Sequence, residues 1–201
     1  MMSGTATVAS FAGWWREVRT EEKGRVRVMD FVVGQVAIVG TREPSPAQQD
    51  LCVRISRAFR DLGMELVTGA AQGIDALAAS VWNEVCPERV TLVLPWAGYN
   101  QDVLVAGNRV LVYSDQKEWA DSVREFHPAP ERLRAGAFKL HARNYGIVSL
   151  ADFVIAFPKD GKVVGGTGQT IRVARALGKR TFVLPGDLEN LRSFYCLLRS
   201  W

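Results

Sequence analysis

The sequence predicts an α/β fold: an open, mostly parallel sheet with helices on both faces. Three observations carry this. Several short apolar runs lack the polar alternation of a half-wet strand, so both of their faces must be covered. Each run ends in a polar loop rich in glycine or proline. Between the runs lie segments with apolar residues at helical spacing, and that alternation builds βαβ units.

Gly34 to Gly40 (GQVAIVG) reads as the first buried strand. The polar loop TREPS follows, and a helix begins near Pro46. Leu51, Ile55, Phe59 and Leu62 form its apolar stripe, Arg54 and Arg57 fall on its wet side, and Gly63 ends it. The unit then repeats: MELVTG (Met64 to Gly69) is a strand, AAQGID a loop and ALAASVWNEVC a helix. RVTLVLP (Arg89 to Pro95), ADFVIAF (Ala151 to Phe157) and RTFVLP (Arg180 to Pro185) are further strands. Helices fit Glu131 to Leu150 and Gln169 to Leu177. Between Trp96 and Pro130 the pattern is weakest; RVLVYS reads as a strand and HPAP as a break. Residues 31–201 form one domain in this reading. Residues 1–30 form an N-terminal helical appendage, with a short helix near Val8 to Val18 that carries Trp14 and Trp15.

Composition narrows the function. With 48% hydrophobic and 23% charged residues, the 201-residue chain is an ordinary globular one, long enough for a sizeable core. The net charge of +4 permits a phosphate-bearing partner without demanding one. Cys52, Cys86 and Cys196 are odd in number and lack a CxxC pair, so they suggest neither a disulfide framework nor a zinc site. They read as buried, reduced thiols. With His127 and His141 the only histidines, no metal is expected. No apolar run reaches the roughly 18 residues of a membrane span, and the N-terminal residues do not read as a secretory signal. A cytoplasmic location is expected.

Three loops at strand ends carry the chemistry. GTREPS, TGAAQGID and DGKVVGGTGQT each lie between a strand and a helix. Ligands of open α/β sheets bind beyond the carboxyl ends of strands, and helix N-termini hold phosphates through free N–H groups. Gly165, Gly166 and Gly168 together exceed what a turn requires, and Thr167 and Thr170 add hydroxyl donors beside Gln169. Arg42, two residues past a buried strand, could fork a phosphate bidentately or sit solvated in its loop. Asp75 could cap its helix, contact a ribose or act as an acid or base. Arg172, Arg175 and Lys179 share one helical stripe, and Arg132, Arg134, Lys139, His141 and Arg143 crowd another helix; either is a polynucleotide track or a solvated face. Trp96, Tyr99 and Tyr145 are candidates for stacking a base.

VAIVGTREPS, GMELVTGAAQGIDALAA, ARNYGIVSLADFVIAF and GGTGQTIRVARALGKRTFVLPG, in that order and spacing, resemble the DNA-processing protein A (DprA/Smf) family. That family sits among Rossmann-like nucleotide-binding proteins that include the LOG phosphoribohydrolases. The resemblance covers about residues 34–186. It implies a Rossmann-like, metal-free and cofactor-free protein that binds single-stranded DNA or a nucleotide and assembles as a homodimer or higher homo-oligomer. It places Gly40, Thr41 and Arg42 in the first loop and Gly69, Gln72, Gly73, Ile74 and Asp75 in the second. Arg143 and Asn144 match the family's RN pair, and Gly166, Thr167 and Gly168 fall in its last loop. ALAAS, where the family has a histidine-bearing helix, and LPWAGYN are departures.

An enzymatic alternative remains beside this. LOG-type hydrolases carry PGGxGTxxE, whose glutamate serves cleavage of the N-glycosidic bond. Aligning the glycines puts Arg172 in the glutamate's place and Thr170 one position late. A cation cannot stabilise an oxocarbenium-like centre. Asp75, Asp115 or Asp160 would have to substitute. A binding protein is the main expectation, a nucleoside-monophosphate hydrolase or a nucleotide sensor the alternatives.

Overall fold

Val36, Ala37 and Ile38 are all shielded from water, as a strand covered on both faces requires. They belong to the middle of a six-stranded sheet. The computed structural model describes residues 15–22, 25–32, 34–114 and 116–200. In chain order the elements are β1 (Trp15–Glu22), β2 (Arg25–Val32), β3 (Gln35–Gly40), α1 (Pro46–Asp61), β4 (Glu65–Thr68), α2 (Ile74–Asn83), β5 (Val90–Leu94), β6 (Arg109–Val112), α3 (Lys117–Phe126), α4 (Ala135–Leu150), β7 (Phe153–Phe157), α5 (Gly165–Ala176), β8 (Arg180–Val183) and α6 (Leu188–Arg199).

Strands β1 and β2 form an antiparallel hairpin of their own. The expected short helix near Val8 to Val18 is therefore corrected over its last residues, which are extended. The reason is visible in WREVRTEE and RVRVMDFV: Val18, Thr20, Val26 and Val28 recur at a period of two, which suits a strand and not a helix. The rest of that helix, with Trp14, lies outside the described residues.

The main sheet runs β6-β5-β4-β3-β7-β8, with every pairing parallel. The chain leaves β3 in one direction through β4, β5 and β6, then returns to pair β7 on the other side of β3. The strand order thus reverses between β3 and β7, which is where ligands of such sheets sit. Ile38, Phe59, Leu66, Trp82, Leu92 and Phe153 build the core on one face, under α1, α2 and α6. Ala37, Val39, Val67, Val93, Ile147 and Ile171 build it on the other, under α4 and α5. This is the α/β, Rossmann-like architecture expected. Helices α3 and α6, which the periodicity left unread, complete it.

The start of α1 is fixed by a capping box: Gln48 N–H donates to Ser45 Oγ at 3.3 Å, and Ser45 N–H donates to Gln48 Oε1 at 3.1 Å. Gln48 Nε2 also donates to Pro158 O at 3.0 Å, tying the helix to the far side of the switch point. Cys52 and Cys86 are buried as expected, but Cys196 is exposed on α6, because its position lies off that helix's inner stripe.

One boundary moves in a way that matters for function. The sequence pattern places the glycines of GGTGQT in a loop ahead of a helix starting at Gln169. In the structure these residues are the first turn and a half of α5. Gly168 N–H makes the first bond back, to Val164 O at 3.1 Å, leaving the N–H groups of Gly165, Gly166 and Thr167 ahead of it. A β-carbon at Gly168 would come within 2.7 Å of the Val163 carbonyl, whereas one at Gly166 would meet nothing. Gly168→Ala is therefore expected to destabilise by about 1–3 kcal/mol, and Gly166→Ala to be neutral or slightly stabilising. Urea unfolding of the two variants checks this, and equal effects would contradict it.

Candidate functional site

Segments following β3, β4 and β7 meet the middle of α4 around one cavity of about 420 Å³. The β3 loop contributes Gly40, Thr41, Arg42 and Glu43, and α2 contributes Asp75. From α4 come His141, Arg143 and Asn144, and beyond β7 come Lys159, Gly165, Gly166, Thr167 and Thr170.

Asp75 organises the centre. It is 3% exposed, and its carboxylate accepts from Gly40 N–H at 3.1 Å and Gly69 N–H at 3.2 Å, with Ala71 N–H a further donor. Gly40 ends β3, and Gly69 and Ala71 lie in the loop after β4, so one side chain holds the ends of β3 and β4 together. Arg143 Nη1 stands 3.9 Å from Asp75 Oδ2 and occupies the space where a side chain at Gly69 would project. Burial pushes the Asp75 carboxyl up, and Arg143 and the three N–H groups pull it back. Burial likewise works against the charge on Arg143, and Asp75 opposes that. Arg143 was expected both in a basic cluster on its helix and, through the RN pair, in the ligand site. It is 5% exposed, because α4 turns that residue inward over Gly69 and the Tyr99 ring, whose centroid is 5.9 Å from the guanidinium carbon.

The two other loops are pinned as well. Ile74 N–H donates to Thr41 O at 3.1 Å, and Thr41 N–H donates to Phe157 O at 2.9 Å. Gly73 permits this closeness: with φ +80° and a would-be β-carbon 2.7 Å from Arg42 Cα, no other residue fits without strain. The Gly166 carbonyl accepts from Asn144 Nδ2 at 3.3 Å and Thr170 Oγ1 at 3.1 Å, so Asn144 of the RN pair anchors the first turn of α5.

What remains for a ligand is cationic. The Arg42 side chain is exposed and makes no hydrogen bond or ion pair among the described residues. Lys159, absent from the sequence-derived site, pairs with Glu43 at 2.7 Å across the cavity mouth. That pairing holds the Glu43 carboxyl below its usual range. Lys159 sits two residues past β7, the same offset that Arg42 has from β3, and that offset is the signal that could have found it.

Several expected residues lie elsewhere. Gly69 and Gly73 support the cavity from behind, and Gln72 is exposed outside it. Gly168 packs on Val163, and Gln169 is fully buried behind the wall. None of the three aromatics lines the cavity: Tyr99 is buried edge-on to Trp96, with ring centroids 5.2 Å apart, and Tyr145 packs into the core. Arg172 points its Nε at Phe126 O, 3.1 Å away, rather than lining the cavity. Arg175 is exposed and lies outside the cavity lining. Asp160 is exposed in a turn outside the cavity, and Asp115 lies outside the described residues. Burial pushes the Cys52 thiol up to about 12, which removes it as a nucleophile.

A sequence profile of the DNA recombination-mediator protein A family matches residues 22–198. The chain belongs to that family. Its fold is similar to that of DNA processing protein A from Helicobacter pylori, described for its single-stranded DNA binding mode, at 24% identity and a TM-score of 0.55 over 80% of this chain and 73% of that one. The Streptococcus pneumoniae DNA processing protein A is similar at 22% identity and a TM-score of 0.54, over 76% of this chain and 50% of that one. A structural-genomics target, TM1055, is similar at 21% identity and a TM-score of 0.50, over 76% and 75%. No curated protein matches the chain. Among the described residues no helix is long and apolar enough to cross a membrane.

The buried pair at the centre of the site has a testable cost. Arg143→Met leaves the Asp75 carboxylate buried without its partner and is expected to destabilise by about 3–5 kcal/mol. Asp75→Asn combined with Arg143→Met is expected to recover part of that. Denaturant unfolding of the two proteins reads it out, and a single-variant cost below about 0.5 kcal/mol, as for an ordinary surface change, would remove Asp75–Arg143 from the account.

Proposed function

We propose that this DNA recombination-mediator family member binds single-stranded DNA through the sugar-phosphate backbone at the β3–β7 switch point. The observation that carries this is the pairing of two anion-competent elements on one cavity: the Arg42 guanidinium, without a partner among the described residues, and the N–H groups leading α5. Helix N–H groups and a forking guanidinium are both matched to phosphate oxygens. Asp75 and Asn144 serve by holding those elements in place. Trp96, exposed just past β5, is the aromatic left to stack a base outside the cavity. The Helicobacter pylori relative's single-stranded DNA binding supports the choice of partner. A cytoplasmic location goes with it. Assembly as a homodimer or higher oligomer is part of the same reading, supported by exposed Val110, Leu111 and Val112 on edge strand β6.

Cleavage of a nucleotide's N-glycosidic bond is disfavoured by the carboxylates at hand. Arg172 takes the glutamate's position, Asp75 is committed to backbone N–H groups, and Glu43 to Lys159.

Fluorescence anisotropy with labelled oligo-dT across a salt series tests the proposal. Binding is expected at about 50 mM salt, with a log–log slope near −0.7 per phosphate neutralised. Arg42→Ala is expected to weaken binding and to shallow the slope by about 0.7. No binding at that salt, or a slope near zero, would sink the proposal.

A further inference from the structure

His141 lines the cavity next to Arg143 and Asn144, yet its setting is unlike theirs. Its Nδ1 is fully buried and meets no partner with hydrogen-bond geometry. Behind it, Gln169 is 0% exposed, and neither its amide nitrogen nor its amide oxygen has a partner either. Three orphaned polar atoms, one on the cavity wall and two just behind it, are costly unless something satisfies them in the working state.

The charges around His141 are of one sign. The His127 ring, just past α3, lies edge-on with centroids 4.6 Å apart. Arg172 on α5 and Arg143 on α4 also act on it. Around the cavity stand Arg42 and Lys159, and the two carboxylates there, Asp75 and Glu43, are each taken by a cation. Burial first, then His127, Arg172 and Arg143, hold the imidazole's proton affinity down, to about 4, with the neighbouring Gln169 amide opposing them. His141 is therefore neutral near pH 7, in a site whose two carboxylates are each already paired with a cation.

We propose that His141 is an anion-coupled proton acceptor of this cavity: arrival of a phosphate group charges the imidazole, which draws its proton from solvent and adds a cation to the site. The idea rests on the reading of the cavity as an anion site. Gln169 suits both states. Its amide nitrogen can donate to Nδ1 of the neutral ring, and after an amide flip its oxygen can accept from Nδ1–H of the charged ring. His127 accepts Ala129 N–H at its own Nδ1, 3.1 Å away, so its ring is held in place beside the changing one.

The sign of the pH effect follows. The ligand-bound state takes up at most one proton, so affinity for an anion of fixed charge tightens as pH falls. If the bound imidazole regains its ordinary value of about 6.5, affinity rises about tenfold between about pH 7.5 and pH 5.5.

Two probes separate this idea from the nucleic-acid proposal. Oligo-dT and sulfate both keep their charge through this range. Oligo-dT anisotropy is measured across it for the natural protein and for His141→Gln, and the imidazole carbon–proton NMR signal of His141 is titrated with and without sulfate. The expected results are a rise of about tenfold that His141→Gln abolishes, and a His141 titration displaced upward by sulfate. An equal pH slope in both proteins, or an unmoved titration, overturns the proton linkage. If oligo-dT fails to bind at all, the nucleic-acid reading falls instead, and the sulfate titration alone decides the role of His141.

Discussion

The Asp75 carboxylate is the constraint on which the site depends. It is buried, and it accepts from N–H groups at the ends of β3 and β4. A buried carboxylate needs compensation, and Arg143 provides it from α4. That choice has consequences along the chain. Position 69 must stay small because the guanidinium lies over it, and position 73 must be a glycine because the β3 loop passes against it. Two loops and a helix are thereby fixed around one point, and the cavity is the space they leave.

The third wall is set by a separate device. Asn144 sits next to Arg143, and it holds the Gly166 carbonyl while Arg143 holds Asp75. The adjacent pair on one helix thus faces two different loops. This explains why the glycine-rich segment is useful as a helix turn rather than as a flexible loop. A loop would have to be ordered when a phosphate bound. A helix start presents its N–H groups already aligned, with Thr170 bonding back to the same carbonyl.

Much of this was legible in the sequence. Buried parallel strands announce themselves as unbroken apolar runs, and β3, β4, β5 and β7 fall within a residue or two of the expected bounds. Loops at strand ends follow from the fold, so Arg42, Asp75 and Gly166 could be placed together before any coordinates. What stayed hidden depended on side-chain direction or on contacts distant in sequence. The RN pair puts Arg143 in the site, but its burial over Gly69 beside Asp75 shows only once α4 is seen to turn it inward. The start of α5 was set four residues late because glycines read as loop, although their close packing on Val163 is a tertiary effect. Helix α3 lacks a clean sequence boundary, and β1 and β2 carry charged residues between their apolar ones, which blurs their period of two. His141 and Lys159 needed the cavity itself to be noticed.

The central claim is that phosphate binds between Arg42 and the leading turn of α5. A crystal structure of the protein with a short oligo-dT tests it most directly. The account predicts a phosphate within hydrogen-bond distance of the Arg42 guanidinium and the Gly166 or Thr167 N–H. A strand bound on the α1–α6 face, or along the exposed Arg175 side of α5 with the cavity unoccupied by phosphate, would contradict it.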